Sequence, residues 1–160
     1  MIDNLYSGWF RTIPTMSPMI KGLCRHPYPG HPRGYPNWGM RSACPPQSKK
    51  IESVIDFNFP IYCVFNCYNI EAHAKRMWER HPHWSERQAY CLLYWQGRAQ
   101  KQLRIKVEML IDEYQEAIPI YCPEGMGVNV TKIMEDFGFH LEWPPRKIAF
   151  QVALVGRRKK

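Results

Sequence analysis

Acidic residues are missing from a long stretch of this chain. Between Asp3 and Glu52 there is no carboxylate, while Arg11, Lys21, Arg25, Arg33, Arg41, Lys49 and Lys50 all fall there. The chain has 14 acidic against 22 basic residues and a formal charge of +8. Such an imbalance favours anionic partners: an anionic cluster, an anionic substrate or nucleic acid. Also absent is any apolar run of the roughly 18 residues that a membrane span needs. The first residues have an early acid and no basic region before an apolar run, so no secretory signal is expected and a cytoplasmic protein is. No P-loop, no dinucleotide G-x-G-x-x-G after a strand and no G-x-S-x-G elbow occurs, which removes three common enzyme signatures. There is no internal repeat and no short C-x-x-C pair.

What is abundant is concentrated. Residues 21–46 read KGLCRHPYPGHPRGYPNWGMRSACPP, a stretch in which proline removes backbone donors and fixes φ while glycine permits positive φ. Regular helix or strand is excluded there, and a long irregular segment that carries Cys24, His26, His31 and Cys44 is expected to be functional. With six cysteines in 160 residues the chain lacks the density of a disulfide scaffold, so the thiols are expected to be free, some buried and some ligating.

From Asp56 onward the pattern is regular. Phe59 to Ile70 reads as a strand, with Ile61, Cys63, Phe65 and Cys67 on one face and Tyr62, Val64, Asn66 and Tyr68 on the other. A short helix is expected over 71–80. Ser85, with Gln88 three residues on, has the form of a capping box. The stripe Leu92, Trp95, Ala99, Leu103, Val107, Leu110, Tyr114, Ile118 then predicts one long amphipathic helix over 85–117 that ends before Pro119. Ile118 to Cys122 is read as a short buried strand, and a helix is expected from a cap at Gly127 or Asn129 to Phe137, ended by Gly138. Trp143-Pro144-Pro145 is a turn and Ile148 to Gly156 a last strand. The expected fold is α+β (or α/β), a small sheet packed by one long and two shorter helices. It forms a single domain over 1–160: a loop-rich metal-binding segment (1–50), an α/β core (56–156) and a solvated, floppy basic tail (157–160).

Three cysteines stand at constrained positions. Cys44 and Cys122 are each followed by proline, and Cys24 by Arg25-His26-Pro27. Cysteine thiolates in loops with a Cys-Pro junction are a common way to hold an iron–sulfur cluster. Alternatively these are ordinary buried cysteines. The set Cys24, His26, His31 and Cys44 also has the donor types of a Cys2His2 zinc site. Cys63 and Cys67 lie roughly 13 Å apart along an extended strand and cannot share an ion, so they are assigned to the core, as is Cys91. His81, His83 and Trp84 suit either a ligand cluster or a helix-entry turn, and Gly125-Met126-Gly127 is a candidate anion cradle. Arg98, Lys101 and Arg104 make part of the long helix basic, and Trp9, Tyr28, Tyr35 and Trp38 are available for stacking on single-stranded nucleic acid.

The stretches CRHPYPGHPRGYPNWGMRSACPP and CPEGMGVNVTKIMEDFGFHLEWPP resemble a family of small predicted metal-binding proteins found in archaea, bacteria and phages. Its signature is similar to C-x-x-P-Y-P-x-H-P-x-G-C-P-N-Y-G followed by C-P-P, with a later Cys-Pro and a Gly-rich segment opening a helix. The resemblance implies a cysteine-ligated centre, an iron–sulfur cluster of the 4Fe-4S type, at Cys24, Cys44 and Cys122. It leaves the reaction open: redox, sulfur transfer or activation of a small anionic or nucleobase-like substrate. This chain departs from the signature at Tyr35, where the family has a cysteine, and at Trp38, where it has a tyrosine. Either the Tyr35 phenolate ligates, another group substitutes, three thiolates leave one iron open, or the metal has been lost. The competing expectation is a zinc-stabilised, non-enzymatic module whose basic surface binds nucleic acid or another acidic partner.

Overall fold

Four strands form one antiparallel sheet in the order β1-β2-β4-β3: β1 (Asn4–Thr12), β2 (Ile61–Asn69), β3 (Ala117–Ile120) and β4 (Ile148–Arg157). The structure, a computed structural model, describes residues 4–27, 31–34 and 38–160. Every strand pair is antiparallel, so the fold is α+β. Among the described residues no helix is long and apolar enough to cross a membrane.

The period of two in β2 sorts its side chains as expected. Ile61, Cys63 and Phe65 pack with Val152 and Leu154 of β4 beneath Ile133 and Met134. These last two belong to α4 (Val130–Asp136), which Asn129 caps by accepting a hydrogen bond from the Lys132 amide. Residues of opposite parity, Val64 with Ala153 and Val155, pack on Leu103, Val107 and Leu110 of α3 (Gln96–Glu113). The sheet is thus covered by α3 on one face and by α4 with Ile51 and Ile55 on the other. Asn66, fully buried among the α3-facing residues, donates to the Ala99 carbonyl at 3.1 Å. Ahead of α3, α1 (Ile70–Arg80) begins where β2 ends, capped by Asn69.

The long helix expected over 85–117 is interrupted. The Ser85–Gln88 capping box is present, but it opens only α2 (Glu86–Ala89). Cys91 is extended, a 3₁₀ turn spans Leu92–Tyr94, and α3 starts after Trp95. The reason is tertiary: Trp95 is buried and stacks on Tyr68 at 5.5 Å, which turns Leu92 and Leu93 out into solvent. Cys91, assigned to the core, is therefore only half-buried, at the break.

The loop-rich segment 1–50 also carries β1, which pairs with β2 along its length, with the Phe65 ring beside Gly8. Two further expectations are corrected. β3 is half-buried rather than buried, because it is an edge strand, the position where Pro119 costs no ladder bond. The basic tail is ordered. Arg157 ends β4, is ion-paired with Glu116 and lies 4.3 Å over the Phe59 ring, while the Lys159 amide donates to Val54 at 2.9 Å.

Candidate thiol-rich metal centre

Beyond β1 the chain runs antiparallel to residues 127–129. The Asn129 amide donates to the Thr15 carbonyl at 2.7 Å, the Ser17 amide donates to Gly127 at 2.9 Å, and Met16 bridges to Val128. This seam lays the 3₁₀ turn Ile20–Arg25, which carries Cys24, against a second one, Glu124–Met126, which follows Cys122. A third segment, 41–48, is tied to both. The Ser48 hydroxyl donates to the Gly125 carbonyl, and the Lys21 ammonium donates to the Ser48 carbonyl at 2.9 Å. Gly125 is buried there, and a Cβ on it would stand 2.9 Å from the Ala43 carbonyl oxygen and 3.9 Å from the Cys44 Cα. Only a residue without a side chain lets the segments meet so closely. Pro45 and Pro123, which follow two of the cysteines, are both buried.

The three cysteines expected to act together are within electrostatic reach of one another. Desolvation raises the Cys24 thiol pKa first, and Cys44 and Glu124 raise it further. At Cys122 desolvation again leads, followed by Glu124 and Cys44; Arg41 opposes the shift and Cys24 adds to it. Glu124 remains solvent-accessible yet is hemmed in by surrounding atoms, and desolvation lifts its carboxyl above the ordinary range. Burial thus disfavours the thiolate at Cys24 and at Cys122, and the neighbouring Glu124 and Cys44 repel negative charge at both. A soft or borderline cation among them would relieve that repulsion, and thiolate sulfur is the donor such cations prefer.

The other expected ligands are placed differently. His26 is exposed at the end of the Ile20–Arg25 turn and His31 is half-buried. Tyr35, like Tyr28, lies outside the described residues. Among the described residues no three His, Cys, Asp or Glu side chains form a ready-made ligand group for a single metal ion, and this applies equally to the Cys2His2 set and to the three thiols. Cys63 and Cys67 are buried, as expected. His81 stacks on Trp84 at 4.2 Å in the turn between α1 and α2, which fits the helix-entry role. The Met126 and Gly127 amides donate to the Pro123 and Glu124 carbonyls, so two of the three donors of Gly125-Met126-Gly127 are used within the turn rather than aimed at an anion.

Glu124 and Ser48 were not singled out by the sequence reading, and Lys21 and Arg41 entered it only among the basic residues of the acid-free stretch. Glu124 carried a usable signal, a carboxylate two residues past the Cys-Pro junction. Ser48 carried none, since its role arises only where the 41–48 and 122–127 segments meet. The chain matches no protein-family model, no curated protein and no solved structure.

Proposed function

We propose that Cys24, Cys44 and Cys122 hold a metal centre through thiolate sulfur, and that the centre is an iron–sulfur cluster of the 4Fe-4S type. The observation that carries this reading is the meeting of three separate segments, each bearing one of the three cysteines. They are clamped together by the Ser48–Gly125 hydrogen bond and by a glycine that tolerates no Cβ. Attachment through three thiolates leaves one iron for another ligand, and when bound such a cluster supplies electron transfer or a Lewis-acid position. Within the protein, Arg41 favours the Cys122 thiolate, the buried prolines stiffen its flanks, and Arg25 and Arg41 suit a small anionic or nucleobase-like substrate. All six cysteines are free thiols, which fits a reducing compartment, and we place the protein in the cytoplasm.

Anaerobic purification followed by iron, zinc and sulfide analysis tests the reading, on the wild type, Cys44→Ser and Cys91→Ser. About four irons with matching sulfide, lost in Cys44→Ser and kept in Cys91→Ser, is the expected result. One zinc per chain would replace the cluster with a zinc-stabilised module. Neither metal would overturn both.

A further inference from the structure

The basic face of α3 leads to the thiol cluster, a continuity that the linear sequence does not display. Arg98, Lys101 and Arg104 are exposed and recur every three residues, which places them along one side of the helix. The Arg104 guanidinium lies over the Tyr121 ring at 5.5 Å, and Tyr121, itself exposed, immediately precedes Cys122. A similar pair flanks another of the thiols: Arg25, next to Cys24, lies over Trp38 at 5.6 Å. Two guanidinium–aromatic pairs therefore adjoin two of the three cysteines. The carboxylates of α3 occupy its later turns, with Glu108 close enough to influence Tyr121, so the positive stretch is the half that begins at Arg98.

We propose that a single-stranded nucleic acid lies along the exposed Arg98–Lys101–Arg104 face of α3 and places a base at Tyr121, beside the thiol cluster. Three features select this partner. Closely spaced cations along one helix side match a chain of phosphates, and their contribution comes from counterion release. Aromatic rings next to guanidinium groups, the exposed Tyr121 and the half-buried Trp38, offer stacking that is indifferent to sequence. A base within a duplex is shielded by its neighbours, so a centre that acts on bases needs a single strand. The inference rests on the metal-centre reading only for what happens to the base; binding along α3 stands without it.

The test is fluorescence anisotropy with a labelled single-stranded RNA of about twelve nucleotides, a length within the range of known single-strand sites. The full chain is purified anaerobically, and iron and sulfide are read on the same samples. Binding is expected at about 50 mM salt, falling as salt rises toward about 200 mM. Arg104→Gln should weaken it several-fold and flatten the salt slope by about 0.7. Tyr121→Ala should cost about tenfold, while Tyr121→Phe, which keeps the ring, should bind as the wild type does. Lys132→Gln removes the same charge from α4, on the opposite face of the sheet, and should change nothing. No binding at low salt would overturn the proposal. So would an equal loss in Lys132→Gln, tighter binding of an equal-length duplex, or competition by a mononucleotide as effective as by the strand, which would make a free nucleotide the ligand. RNA bound through Arg104 and Tyr121 by a protein without metal would sink the cluster and leave this inference standing; a loaded protein that ignores RNA would do the reverse.

Discussion

Substituting alanine for three glycines separates the two reasons a chain needs glycine, and one of the three sits at the proposed centre. Gly138, after α4, has φ +83° with nothing within 4 Å of an added Cβ. Gly138→Ala therefore incurs left-handed strain alone, about 1–2 kcal/mol. Gly34 has φ +79° as well, but its Cβ would lie 2.5 Å from the Arg25 carbonyl carbon and 2.6 Å from the Cys24 carbonyl oxygen. Backbone cannot swing aside as a flexible side chain can, so overpacking adds about 1–3 kcal/mol, for a total of about 2–5. Gly97, exposed in the first turn of α3, has neither problem, and Gly97→Ala should stabilise by up to about 1 kcal/mol through helix propensity. Urea unfolding of the three variants gives the order directly. Mass-spectrometric thiol labelling adds a local readout, because a loop that detaches rather than straining the whole fold will expose Cys24. Gly34→Ala costing no more than Gly138→Ala, with Cys24 labelling unchanged, would refute the close packing of residue 34 against the Cys24–Arg25 backbone.

Two further outcomes follow from burial and from the tail. Desolvation pushes the Cys63 thiol from 9.0 to about 12, and Tyr6, desolvated and hydrogen-bonded to Cys67, rises from 10.0 to about 12. The unfolded chain loses these protons first, so stability present at neutral pH should fall between about pH 9 and pH 12, and Cys63→Ala should flatten that decline when unfolding is followed in urea across the alkaline range. Deleting residues 158–160 removes the Ile55–Arg158 bridge and the Lys159 bond to Val54, so the melting temperature should drop by several degrees; an unchanged value would mean that the tail contributes nothing.

The elements legible from sequence were those whose signals are local. The Ser85–Gln88 box, the Asn129 cap, the Gly138 stop and the alternation of β2 all depend on neighbours within a few residues, and each is where it was expected. What escaped depends on distant partners. β1 is an edge strand with a glycine inside it, stabilised by pairing with β2 and by the Phe65 ring over Gly8. The break before α3 has neither proline nor glycine at Cys91 to announce it, because Trp95 obeys the stacking demand of Tyr68. At the centre, residue chemistry brought forward Cys24, Cys44 and Cys122. The clamp that draws their segments together, Ser48 on Gly125 and Lys21 on Ser48, is made of residues with no distinctive pattern.

The strand order has a consequence for how the molecule comes into being. β4 is the last strand in the chain, yet it lies between β2 and β3 in the sheet. During synthesis β1 and β2 can pair early, but β3, which leads into Cys122, has nothing to pair with until residues 148–157 have left the ribosome. The segment that carries Cys122 is therefore held in the sheet only once β4 has emerged, so the meeting of the three cysteine-bearing segments waits on a strand that follows all of them in sequence.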